Sequence, residues 1–218
     1  MKNCTFSSVW LNAVLGVCCA LFAVGCGSTR GYQQADKTGE AINTVRNDIV
    51  NVKAAVDASM KALDALAAAA TTDPRKAYET YAKSVDKVEK AAKTAKDDAD
   101  DMNAHGAEYF KNWEAQLAAV QNPEIRRLAQ ERRGKLQEAF GTIKTAAEGT
   151  KTSFPPFLSN LKDLRTALSS DLTVQGIAAA KGIFAKTKSN GVEVQKHLDE
   201  LVAEMNTVVA AVTPAKAK

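Results

Sequence analysis

From Gln33 onward, apolar side chains return at steps of three and four residues. The first run is Ile42, Val45, Ile49, Val52, Val56, Leu63 and Leu66, with Ser59 filling one slot. That spacing lines one face of a helix and is the heptad stripe of helices packed side by side. The run ends in Ala67 to Ala70 and is followed by Thr71-Thr72-Asp73-Pro74, in which Asp73 suits a helix cap and Pro74 the first helical position. A second stripe carries Tyr78, Tyr81, Val85, Val88, Ala92, Ala95, Ala99, Met102, Tyr109, Trp113 and Val120, with Gly106 as a candidate kink. Asn122-Pro123 repeats the capping arrangement and opens a third stripe through Ile125, Leu128, Leu136, Phe140 and Ile143. Gly149-Thr150 weakens that pattern. Phe154-Pro155-Pro156-Phe157 then predicts a bend, because each proline lacks an amide donor and crowds the preceding turn. A short helix through Leu158, Leu161, Leu164 and Leu168 is expected next. Asp171 is expected to open the last segment, striped by Ile177, Ala180, Phe184, Thr187, Val194, Leu198, Leu201, Met205, Val208 and Val212, and Pro214 to stop it.

The pattern gives an all-α fold of long antiparallel helices with heptad stripes. Short connections favour an elongated four-helix bundle on the order of 60 Å long. The competing arrangement is a pair of coiled-coil hairpins that meet only in an oligomer. Aromatics are 6% of the chain, and alanine fills much of the middle stripe. Close packing is therefore expected at mid-rod, and firmer anchoring at the rod ends, where the aromatics lie.

The first 26 residues follow a different rule. Lys2 is the one charged side chain before Cys26, and Val9 to Val24 is almost wholly apolar. A basic start, an apolar run and small residues at its end describe an export signal. The run is shorter than the ~20 residues that cross a bilayer. It closes Leu21-Phe22-Ala23-Val24-Gly25-Cys26, which resembles a lipobox, the site where bacteria attach diacylglycerol to a cysteine and cleave before it. Gly25 and Cys26 fit that pattern, while Ala23 stands where leucine is more usual. Cys18 and Cys19 fit less well, because Val17 and Cys18 before them are not the small residues required. The resemblance implies a signal peptide over 1–25, a lipidated (palmitate-bearing) Cys26 with a tether over 26–34, a helical bundle over 35–213 and a loose tail over 214–218. An uncleaved membrane anchor and a soluble export signal cut elsewhere are the alternatives. Gly27 in place of aspartate, by likeness to Gram-negative lipoproteins, implies the outer membrane, facing the periplasm. Cys4, Cys18, Cys19 and Cys26 are all of the thiols, so the body has none for a disulfide, a metal or a nucleophile.

Over most of its length after the export signal, and best from Tyr109 onward, the chain resembles a bacterial family known as domain of unknown function 2959. Its first two helices match only in helical character and length. The likeness is carried by Tyr109-Phe110-x-x-Trp113-Glu114-x-x-Leu117 and Asn122-Pro123-x-Ile125-Arg126. It continues in Phe154-x-Pro156-Phe157-Leu158-x-x-Leu161-x-Asp163 and Asp171-Leu172-x-x-x-x-Ile177. The resemblance implies a helical envelope lipoprotein or exported protein and carries over no catalytic residue.

Candidate chemistry is sparse. His105 and His197 fall on different helices without a ligand-spaced partner, and read as solvent-facing or rim residues. Asp97, Asp98, Asp100 and Asp101 lack the glycine and oxygen spacing of a calcium loop, and cross-helix ion pairs, with Arg46 and Lys144 near Asp98, are the expected use. Arg126, Arg127, Arg132, Arg133 and Lys135 wrap around a helix among Glu124, Glu131 and Glu138. Pairs such as Glu131 with Lys135 explain part of that group, and anionic headgroups or an envelope polymer would explain the rest. Tyr109, Phe110 and Trp113 are expected either to pack the bundle end or to form an exposed patch. The net charge of +4 is spread out and gives no case for nucleic acid. No phosphate loop, nucleophile elbow or metal motif occurs, so an enzyme, a cofactor and a small-molecule substrate are not expected.

Two functions follow. A structural or scaffolding lipoprotein would hang from the membrane by the lipid on Cys26, possess no ligand and form a homo-oligomer. A binding module would present a groove or rod end to an envelope protein, anionic lipid or peptidoglycan. Covered Phe110, Trp113 and Phe157 side chains favour the first, an open patch the second. Lys218 adds a further candidate, a covalent link to peptidoglycan through a C-terminal lysine.

Overall fold

The computed structural model describes residues 30–212. The signal region with Gly25 and Cys26, the start of the tether and the tail with Lys218 lie outside the described residues. Four helices follow in order: α1 Arg30–Ala68, α2 Pro74–Ala118, α3 Pro123–Ser170 and α4 Val174–Val212, with a 3-10 turn at Ala69–Thr71. Adjacent helices in sequence pack against each other, α4 closes onto α1, and the backbones of the diagonal pairs stay apart across the core. This is an up-down-up-down four-helix bundle within one chain, not a pair of hairpins awaiting an oligomer. Among the described residues no strand occurs, and no helix is long and apolar enough to cross a membrane.

The stripes account for the core. Ile42, Val45, Ile49, Val52, Val56, Ser59, Leu63 and Leu66 are all buried, as are Ile177, Phe184, Thr187, Val194 and every later stripe position of α4. The small polar members are satisfied by their own helices: Ser59 Oγ donates to the Val56 carbonyl (2.7 Å) and Thr187 Oγ1 to that of Ile183 (2.8 Å). Tyr81, fully buried, spans two helices by donating to the Leu161 carbonyl at 2.7 Å.

The expected caps form at α2 and α3. Asn122 Oδ1 accepts from the amides of Glu124 (2.9 Å) and Ile125 (3.2 Å), and Asp73 from that of Arg75 (3.3 Å). At α4 the capping group is Thr173, not Asp171. Its hydroxyl accepts from the Gly176 amide (3.0 Å) and is steadied by the Asp171 carboxylate (2.6 Å).

Three expected interruptions do not occur. α3 runs unbroken through Pro155 and Pro156, and no separate short helix follows. Both prolines and the residues four positions before them, Lys151 and Thr152, sit on the exposed face, so the carbonyls that lose their amide partners lie on the side of the helix away from the core. Ser153, Phe157, Leu161, Leu164 and Leu168 meanwhile hold the opposite face in the core. α2 runs through Gly106, whose missing Cβ admits Phe140, since a methyl there would lie 3.1 Å from the ring. Gly149 likewise makes room for the His197 ring.

Ile125 and Leu128 depart from their stripe and are 55% and 52% exposed. The reason is length. Gly31 at the start of α1 lies beside Gln116 of α2, and Arg132 Nη2 donates to the Ala211 carbonyl near the end of α4 at 2.6 Å. Among the described residues, Pro123 to Gln130 therefore have no α1 or α4 to pack on. At ~1.5 Å per residue this α2–α3 tip projects about 12 Å past its neighbours.

Candidate functional site

The sequence-predicted surface residues gather at the bundle end where α1 starts. Tyr109 makes tilted contacts with Phe110 and Trp113, with ring centroids 5.4 and 5.5 Å apart. Phe110 meets Phe140 edge-on at 5.2 Å, tying α2 to α3. All three α2 aromatics are partly buried against the core, and Trp113 and Tyr109 line the small cleft under Gly31 and Gln34. With Phe157 fully buried, the aromatics act mainly as packing. Partial burial raises the Tyr109 hydroxyl above its ordinary pKa.

The arginines divide in use. Arg133 reaches back to α2, pairing with Glu114 at 2.9 Å while its guanidinium carbon stands 5.9 Å from the centre of the Phe110 ring. Arg126 donates to the Val120 carbonyl through Nε at 3.0 Å and closes the α2–α3 turn. Arg132 caps the carbonyl end of α4, a favourable place for a cation. Arg127 pairs with Glu131 at 2.6 Å, so Glu131 turns to Arg127 and not to the expected Lys135. Three of the four arginines thus hold helix ends or seams, and Arg127 alone bonds only within its own helix.

The acidic run also differs from expectation. Asp97 and Asp100 pair along their own helix with Lys93 and Lys96, the second at 2.8 Å. Arg46 points to α4, donating to Asn206 Oδ1 at 3.0 Å, and does not meet Asp98. Asp98 instead lies against Asp48, whose Oδ2 is buried with no donor facing it. Partial burial first, then the hydrogen bond with Asp98 and its negative charge, raise the Asp48 carboxyl above the usual carboxylate range, and Asn51 opposes this. A raised folded-state pKa means that the fold binds the proton more tightly than the open chain. Stability is therefore lost as pH rises from the ordinary value through the raised one. Asp48→Asn should raise the melting temperature at neutral pH, with the gain shrinking as pH falls through that window. Equal gains at pH 3 and pH 7 in thermal unfolding would reject this reading.

His105 is exposed beside Lys37, Glu40 and Asp101 in an open groove of about 400 Å³. His197 is half-buried, its Nδ1 2.9 Å from Ser153 Oγ. The same hydroxyl lies 2.9 Å from the Gly149 carbonyl, so Ser153 joins its own helix to the His197 ring of α4. Among the described residues no three His, Cys, Asp or Glu side chains converge as metal ligands.

The sequence profile of the family described as Protein of unknown function (DUF2959) matches residues 28–213. The chain belongs to this family. The DUF2959 match takes in all four helices, as expected of a resemblance that covers most of the chain after the export signal and is carried best by its second half. No curated protein and no solved structure shows a significant match to the chain. The DUF2959 domain here is thus a helical bundle in which His197, Asp97, Asp100 and three of the four clustered arginines are engaged in its own structure, while His105 faces solvent. Ile125 and Leu128 are what sequence reasoning missed. Their place within two turns of Pro123, at the outer end of the longest helix, was the available signal.

Proposed function

We propose that this DUF2959 protein is a lipid-anchored cell-envelope lipoprotein whose bundle serves a non-catalytic, structural or scaffolding role. The supporting observation is where the folded domain starts. The family match begins at residue 28 and α1 at Arg30, directly after the lipobox-like Gly25-Cys26. Everything ahead of that point has the composition of an export leader. Helix α1 takes up Arg30 to Gln34, which the sequence alone assigns to the tether, so at most Gly27 to Thr29 separate the cysteine from the bundle. Two or more acyl chains on Cys26 would hold the protein stably at a membrane surface. Under this reading the outer membrane, facing the periplasm, is its place.

The test is intact-mass spectrometry of the protein from native membranes beside Cys26→Ser. The wild type should show a chain starting at Cys26 plus acyl groups, and the variant should lose both features. A full-length or unacylated wild-type mass would overturn the reading.

The binding-module reading has its own observation, the exposed Ile125 and Leu128 at the projecting tip. It is compatible with the lipoprotein reading, and the tip is where the two meet.

A further inference from the structure

We propose that the α2–α3 tip is a membrane-contact surface: the bundle stands on the lipid bilayer through Ile125 and Leu128, flanked by Arg126 and Arg127. The inference rests on the lipid anchor at Cys26 proposed above and goes beyond it, because an anchor alone does not orient a rod.

Two lengths carry the argument. From Cys26 to Arg30 there are four residue steps, which reach no more than about 14 Å when fully extended. The tip projects about 12 Å past the start of α1. An upright bundle hung from an acylated cysteine therefore has almost no clearance. The tether at full stretch just lets the tip touch the headgroups, and any shorter path presses it in. The surface that meets the bilayer has matching chemistry. Ile125 and Leu128 are large apolar side chains, each more than half exposed, three residues apart on one helix face. Tyr32, 54% exposed, lies on the first turn of α1 at the same end. Around them Arg126 and Arg127 are balanced by Glu124 and Glu131, with Arg127 paired to Glu131 at 2.6 Å. The exposed apolar side chains therefore carry the contact, and the arginines stand at its rim, where headgroup phosphates lie. Apolar side chains backed by arginine are the composition of surfaces that rest at the headgroup boundary.

A second copy of the chain would cover the same residues, but it gives no reason for the tip to overhang by the length of the tether. The open groove of about 450 Å³ between α3 and α4, floored by Leu164 and Leu168, lies near the opposite end and is out of reach of this tether.

All native thiols precede Gly27, so an introduced cysteine is the one reactive thiol in the acylated chain. Ile125→Cys and, at the far end, Thr72→Cys would each carry an environment-sensitive fluorophore. The full acylated protein would be reconstituted in phosphatidylethanolamine–phosphatidylglycerol vesicles containing lipids with a nitroxide near the headgroup. The Ile125 label should be quenched several-fold more strongly than the Thr72 label. Protein that floats with the vesicles but shows no quenching at Ile125, or equal quenching at both ends, would overturn tip contact while leaving the anchor intact. A label at Ile125 shielded from both lipid nitroxide and aqueous iodide would mean that protein covers the tip, which also overturns it. Protein that does not float, with no acyl mass, would sink the anchor reading and this inference with it.

Discussion

Phe157→Ala is expected to cost about 3–5 kcal/mol of folding stability, because a large ring is removed from a site that cannot collapse around the gap. Phe157 is fully buried on α3 and meets α4 and α1 at one point. Its Cε2 lies 3.0 Å from where a Cβ on Gly191 of α4 would stand, and Met60 of α1 comes to the same spot. The nearest other ring, Phe154, is 6.4 Å away between centroids and only half-buried, so it is poorly placed to swing in. Denaturant unfolding read by circular dichroism would show the loss as a lower midpoint at unchanged slope. A loss under 1 kcal/mol would mean that this junction repacks freely and is not a fixed point of the bundle.

Gly191→Leu attacks the same junction from the opposite side and is expected to cost about 1–2 kcal/mol net. Replacing a helical glycine with leucine gains up to ~1 kcal/mol in propensity. Against this, the first added carbon alone would stand 2.4 Å from Met60 Sδ and 3.0 Å from Phe157 Cε2. Overpacking of that kind costs about 1–3 kcal/mol or more, and three further carbons still need space. Crowding wins. Gly182, on the same helix with nothing within 4 Å of its Cβ position, is the control: Gly182→Ala should stabilise by up to ~1 kcal/mol. The two core changes should also fail to add, since the cavity left by Phe157→Ala is where the new leucine would go. Gly191→Leu that stabilises as Gly182→Ala does would show that α4 can move away from α1 and α3 at little cost.

The stripes of α1 and α4 could be read from the sequence because each is set by one repeating contact, a helix face against two neighbours. Asn122 and Asp73 were legible for a similar reason: a cap acts over three residues. What the sequence hid were effects that depend on where a residue stands around or along the rod. Pro155 and Pro156 predict a bend anywhere in a helix, but only their position on the solvent face lets α3 continue. Ile125 and Leu128 fit a heptad, yet the heptad says nothing of where the neighbouring helices end. Arg46 was near enough to Asp98 in a hairpin count, but helix rotation turns it to Asn206 and leaves Asp48 facing Asp98. Of the candidate site, the aromatic group and arginines were found by residue type. Their engagement with Glu114, Val120 and Ala211 needed the third dimension.

An even number of antiparallel helices has a mechanical consequence. Arg30 and Val212 emerge at the same end of the bundle, on adjacent helices. A pull applied between these two points would part α1 from α4 one turn at a time, as a zip opens, and would not load the whole seam in shear. Cross-links along that seam, Arg46 to Asn206 and then Lys53 to Asp199, would be met in succession, each alone. A bundle held by one end and pushed from the other, in contrast, carries its load in compression along all four helices together. The architecture is thus built to resist a squeeze far better than a tug.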